Sequence, residues 1–169
     1  MKKLRLPFLL ALISFLTACG FHLRGEADYA LPFKTLYIQA PDARSAFVNE
    51  LKRNLIASNV QIVDAAEQSP LILHIASEDT HKQILSLSAA GRVLEYRIQF
   101  QIAFRVYDAK QRDWMAPGEI TLQRSYTYDD SQVLAKAKEE AVLYQDMRTD
   151  AVQQIMRRLN RVKEPKAVE

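Results

Sequence analysis

No internal disulfide can form in this chain, because Cys19 is its only cysteine. Stability must come from a packed core and from any partner. Glycine is nearly as scarce, at four residues, and the chain holds neither a Gly-rich phosphate loop nor a Gly-x-Ser-x-Gly elbow. There are three histidines, His22, His74 and His81. His74 and His81 are seven apart in strand-like sequence, which predicts opposite faces and a poor metal pair. Asp129-Asp130 reads as a helix cap or turn, and Glu139-Glu140 as a solvated helix face. No nucleophile and base stand in a recognisable constellation, so no catalytic residue and no metal site is expected.

Long apolar runs are also missing. The longest, Leu6 to Leu16, is too short to cross about 30 Å of hydrocarbon. Net charge is another absence. The first 18 residues hold three of the 23 Lys and Arg and no acid, so the other 151 carry 20 residues of each sign. Nothing in that balance argues for nucleic acid as a partner. The length suits a single ordinary domain with a real core.

What is present begins at the N-terminus. Lys2, Lys3 and Arg5 precede the apolar run, and Leu16-Thr17-Ala18-Cys19 follows it. A positive start, an apolar stretch and small residues form a secretory signal over residues 1–18. The cysteine behind them resembles the bacterial lipoprotein cleavage box. That resemblance implies cutting before Cys19, with a diacylglycerol on its thiol and an acyl chain on its new amino end. No other cofactor is expected. At about 0.8 kcal/mol per buried methylene, one chain holds marginally and two hold stably, so three fix the protein to a membrane. Gly20 is not Asp, which by resemblance to the Gram-negative sorting rule implies the outer membrane.

Residues 19–162 read as one domain and 163–169 as a frayed tail. Phe33 to Gln39 alternates as a strand. Asp42 or Ser45 caps a helix to about Ser58, with Val48, Leu51, Leu55 and Ile56 as its apolar face. Asn59 tolerates the left-handed conformation that ends helices. Val60 to Val63 is a short strand, and Ala65 to Pro70 a loop. Leu71 opens a long strand, with interruptions, to Leu87. Ser88 to Arg92 is a hairpin turn with Gly91 supplying positive φ. From Leu94 to Val106 apolar and polar residues alternate strictly, one face buried and one wet. Trp114 to Gly118 has no clear pattern, and Glu119 to Tyr128 alternates again. A long helix then runs to about Val162, its stripe made by Tyr144, Met147, Ala151, Ile155, Leu159 and Val162. The order β-α-β-β-β-β-α predicts an α+β two-layer sandwich, two helices on one face of a mainly antiparallel sheet of four or five strands.

Arg92 at the hairpin tip, Arg97 and Arg105 on the wet face, and Lys136 and Lys138 near the last helix suit anionic head groups. They also suit an ordinary mixed-charge surface.

Several stretches resemble the LptE family of lipopolysaccharide-assembly lipoproteins. They are Cys19-Gly20-Phe21-His22-Leu23-Arg24, the Glu95-Tyr96 strand after a glycine turn, Arg124-Ser125-Tyr126, Leu134-Ala135-Lys136 and the final helix. The resemblance covers nearly all of the chain after Ala18. It implies a lipid-anchored protein on the periplasmic side of the outer membrane. Such a protein plugs and helps assemble the LptD β-barrel and binds lipopolysaccharide in transit. It implies Lys136 as a lipopolysaccharide contact. The family's hairpin-tip arginine falls at Ala89 here, and Arg92 approaches the tip from the other side of Gly91. The same anchor and fold class would also serve an accessory of a different transport or barrel-assembly machine. A lipid-anchored periplasmic hydrolase would need a nucleophile and base that the sequence does not offer.

Overall fold

The computed structural model describes residues 31–164. Seven main elements follow in order: β1 Thr35–Gln39, α1 Ala46–Ala57, β2 Gln61–Val63, β3 Leu71–Leu87, β4 Val93–Asp108, β5 Asp113–Thr127 and α2 Val133–Leu159. The strands form one sheet in the order β2-β1-β3-β4-β5. β1 is parallel to both its neighbours, and β3, β4 and β5 are antiparallel. Both helices cover one face, the α+β sandwich that the alternation of the strands predicts.

Local chemistry sets the boundaries. The Ser45 hydroxyl accepts from the Val48 N–H and so caps α1. Asn59 stands at φ 61 just beyond the helix, and Gly91 at φ 74 in the β3–β4 turn. Pro117 lies in β5, where an edge strand tolerates a missing N–H. The segment from Trp114 to Gly118, patternless in sequence, belongs to that strand across a register shift between Phe104 and Val106. Ala66–Gln68 forms a 3₁₀ turn inside the predicted loop.

The core joins Leu36, Ile38, Leu71, Leu73, Ile75 and the even-numbered residues Ile98 to Val106 of the sheet to Phe47, Val48, Leu51 and Leu55 of α1. From α2 come Met147, Ala151, Val152, Ile155, Met156 and Leu159. Phe47 meets Phe100 edge to face with ring centres 5.9 Å apart. Ile56 is not part of the α1 face, as its spacing suggested: it is 60% exposed, and Phe47 takes its place.

One irregularity decides which way the charges of β3 point. Leu73 and Ile75 pair with the inward Val106 and Phe104. A register shift between Ile75 and Ser77 then reverses parity, so Glu78, Thr80 and Lys82 pair with the inward Ile102, Phe100 and Ile98. The expectation that His74 and His81 face opposite ways is thereby corrected. They pair with Arg105 and Gln99, both on the outer face. Six β4 positions still separate them, about 20 Å along a strand, so they do not form a metal pair.

Candidate functional site

The sheet is broad at one end and narrow at the other. β1 and β2 have five and three residues, whereas β3 and β4 have 17 and 16. At about 1.5 Å per residue α1 reaches only about 18 Å and α2 about 40 Å. Near the β3–β4 hairpin only the first turns of α2 remain to cover three strands. Apolar side chains there stay uncovered: Ile84, Leu85, Leu87, Leu94, Val133 and Leu134, the last 82% exposed. Six of the eight large exposed hydrophobic residues in the described chain belong to this end, which marks a contact surface rather than scatter.

Cations lie among them. Arg92 is exposed in a closed turn: the Ser88 N–H donates to the Arg92 carbonyl at 2.8 Å, and the Arg92 N–H donates to the Ser88 hydroxyl at 3.1 Å. Ala89 occupies the exposed opposite side of that tip. Lys136 is held more tightly. Its side chain is only 15% exposed, and its Nζ donates to Glu139 Oε2 at 2.8 Å and to Thr127 Oγ1 at 3.2 Å. Its stem lies on the end of β5 while its ammonium stays at the rim. Lys138 points to solvent. Arg92 and Lys136 thus share one end of the molecule without touching.

Beneath this end lies a polar cluster that sequence reasoning missed. Glu140 was read as solvated, but it turns inward. Its Oε2 accepts from Lys82 Nζ and from Tyr126 Oη, both at 2.5 Å. The Lys82 ammonium also sits 4.2 Å from the centre of the Tyr96 ring. Burial alone would raise the Glu140 carboxyl, but hydrogen bonds from Lys82 and Tyr126 outweigh it and hold the carboxyl below its usual range. Burial, then the bond to Glu140, pushes the Tyr126 hydroxyl up to about 12. Burial opposes the charge on Lys82, yet its bonds to Glu140 and Tyr126 leave it raised. The cluster pins the start of α2, and therefore Lys136 one turn earlier, to the sheet. The signal was available only once the reversed parity of β3 put Lys82 on the helix side.

Asp129, read as a cap, does cap: its carboxylate accepts from the Ser131 N–H and hydroxyl, and those bonds lower its pKa. On the outer sheet face Gln99, Gln101, Gln123, Thr121 and Glu119 form a hydrogen-bonded ladder. Arg105 shares this face and pairs with Asp113 at 2.9 Å. Among the described residues no group of three or more His, Cys, Asp or Glu is placed to hold a metal. None of the described helices is long and apolar enough to cross a membrane. Cys19 and Gly20 lie outside the described residues.

An α+β sandwich of this kind is found among small bacterial lipoproteins. An NMR structure of an uncharacterized lipoprotein B from Nitrosomonas europaea is 41% identical with a TM-score of 0.69, over 83% of this chain and 90% of that one. The rare lipoprotein B from Shewanella oneidensis is 27% identical with a TM-score of 0.65, over 75% and 93%. The LptE family profile, described as Lipopolysaccharide-assembly, matches residues 33–159, and the chain belongs to that family. Similar proteins named LPS-assembly lipoprotein LptE occur in Pectobacterium atrosepticum, 28% identical over 94% of this chain and 86% of that one, and in Yersinia enterocolitica, 29% identical over 94% and 77%.

Proposed function

We propose that this protein is a non-catalytic outer-membrane lipoprotein that binds lipopolysaccharide and supports an LptD-like barrel. Cys19 carries the acyl chains, Gly20 directs the chain to the outer membrane, and the domain works on the periplasmic side. The observation that carries the reading is the hairpin end, where uncovered apolar side chains surround Arg92 and Lys136. Lipopolysaccharide combines phosphates with acyl chains, and this end offers a partner for each. Lys136 competes for the phosphates and the ions that bridge them, which loosens the packing of neighbouring molecules. Its ammonium stands at the rim beside Glu139, whose side chain is 44% exposed, so a phosphate can reach it from solvent.

The outer sheet face supports the barrel part of the reading. Five strands at about 4.8 Å spacing give a slab roughly 25 Å wide. Its amide and hydroxyl ladder resembles in polarity the lumen of a large barrel, whose interior is polar and in some cases plugged. Two measurements test the proposal. Pull-down of the acylated protein from outer membranes should retain an LptD-like barrel. Lys136→Glu should weaken lipopolysaccharide binding while the barrel complex and fold persist. Recovery of a different assembly machine would transfer the role to that machine, and unchanged binding by Lys136→Glu would remove Lys136 from the site.

A further inference from the structure

The broad end of the molecule carries a second, separate feature. A recess of about 210 Å³ opens between Trp114 and Met115 of β5 and Arg158, Arg161 and Val162 at the end of α2. Lys136 is 22 residues before Arg158, so about 33 Å of helix separates this recess from the hairpin end. The recess is built rather than incidental. The Arg158 guanidinium lies 5.4 Å from the centre of the Phe104 ring, and its Nη2 donates to the Glu119 carbonyl at 3.3 Å. Gly118 makes room for it, since a Cβ there would meet Arg158 Nη1 at 2.7 Å. The Trp114 indole N–H points to Asp108 Oδ2 at 3.5 Å, which orients the ring.

Charge at this recess is uncompensated. Neither Arg158 nor Arg161 forms an ion pair among the described residues. The carboxylates of the adjoining β4–β5 turn are engaged elsewhere: Asp108 by Arg112 at 2.7 Å and Asp113 by Arg105 at 2.9 Å. Two arginines three residues apart therefore line the recess together with Trp114, Met115 and Val162. That combination fits an anionic amphiphile, its phosphate gripped by arginine and its glycerol backbone against the indole. Location selects the source. Tyr37 of β1 pairs with Ile72, which pairs with Tyr107, so Leu31 to Thr35 enter the sheet at the same end as the recess. That end receives the chain from Cys19.

We infer that Trp114, Met115, Arg158 and Arg161 form a binding site for the head group of an acidic phospholipid in the leaflet that holds the N-terminal anchor. The choice of leaflet rests on the anchored reading above; the chemistry of the site does not. Trp114 is the chain's single tryptophan, so its emission reports the site directly. The acylated protein in dodecyl maltoside is titrated with dihexanoyl phosphatidylglycerol, dihexanoyl phosphatidylcholine or inorganic phosphate. Phosphatidylglycerol should shift the emission saturably, the other two should bind about tenfold more weakly or not at all, and Arg158→Gln and Arg161→Gln should each lose about tenfold. Gly118→Ala keeps both charges but displaces Arg158 and should weaken binding too. Lys136→Glu should titrate like the parent, which separates this site from the lipopolysaccharide reading. Equal response to phosphatidylcholine, or to phosphate alone, overturns the assignment. So does an affinity gain of about tenfold on deleting residues 165–169, which would make the chain's own tail the occupant.

Discussion

Tyr126→Phe removes one oxygen and leaves the ring, so it isolates the hydrogen bond to Glu140. Tyr126 is 4% exposed, and its hydroxyl donates to a carboxylate. A hydrogen bond to a charged group contributes about 1.5–3 kcal/mol. The Lys82–Glu140 ion pair has side chains 36% and 23% exposed. At that exposure solvent screens it, and a value of about 0.2–1 kcal/mol applies. The hydrogen bond therefore outweighs the ion pair, although the cation is the more conspicuous group. Tyr126→Phe should cost about 2 kcal/mol in urea unfolding and lower the melting midpoint by roughly 5 °C. Lys82→Met, which keeps the apolar stem, should cost less than about 1 kcal/mol. The pH dependence has a definite sign. Glu140 is lowered in the fold, so its contribution is present above its unfolded pKa and fades as pH falls through its folded one. The penalty of Tyr126→Phe should thus shrink in acid. A larger penalty for Lys82→Met than for Tyr126→Phe, or a Tyr126→Phe penalty that grows in acid, would refute this ranking.

Other perturbations probe the core, the turn and a strained carboxylate. Phe100→Ala leaves a cavity against Phe47 and should cost about 3–5 kcal/mol by urea unfolding. Gly91→Ala meets no atom within 4 Å, so only its left-handed backbone resists. It should cost about 1–2 kcal/mol in thermal melts. Burial raises Glu78, more than its bond from Ser45 lowers it. Its ionised form is then a liability at neutral pH that disappears as pH falls below the unfolded pKa. Glu78→Gln should raise the melting temperature at pH 7 and change it little near pH ~3, measured by calorimetry.

Most of the fold was legible because periodicity survives in long elements. Ile98 to Val106 alternate without a break, and the α2 stripe from Tyr144 to Val162 repeats at helical steps, so each element announces its buried face. Legibility failed where a single extra residue changes parity. The shift between Ile75 and Ser77 exchanges the two faces of β3. Sequence spacing counts residues along one strand and cannot register such a shift, which is why His74 and His81 were assigned opposite faces. The same shift hid the cluster, since Lys82 reaches Glu140 only from the helix side. Ile56 failed for another reason: at 3.6 residues per turn it stands a full step of about 100° beyond Leu55, outside the arc of Phe47, Val48, Leu51 and Leu55, and so faces solvent although Leu55 beside it is fully buried. At the candidate site the placing of Arg92 at a turn was legible from Gly91, whereas the uncovered apolar rim depends on unequal strand lengths.

Those unequal lengths also bear on how the proposed anchored protein is oriented. The hairpin tip and the point where the chain enters lie at opposite ends of β4, about 50 Å apart at strand rise. Twelve residues, 19–30, separate the start of the proposed anchored chain at Cys19 from the first described residue, and no chain of that length exceeds about 40 Å. A single point of attachment fixes position but not tilt. It cannot by itself hold the hairpin end where glycolipid passes. Orientation must come from contacts the folded domain makes, and two surfaces are suited to it. The amide-rich ladder of the outer face, with Glu119 as its carboxylate, can hydrogen-bond a polar lumen wall. The arginines at the broad end can hold that end to phosphate at the membrane surface. With both engaged, the long axis is fixed at two points and Lys136 is presented at the far end. Loss of either contact should therefore reduce transport of lipopolysaccharide even though Lys136 itself is untouched. Arg158→Gln combined with Arg161→Gln provides that comparison: a transport defect with normal lipopolysaccharide affinity at the hairpin end is expected, and full transport would show that one point suffices.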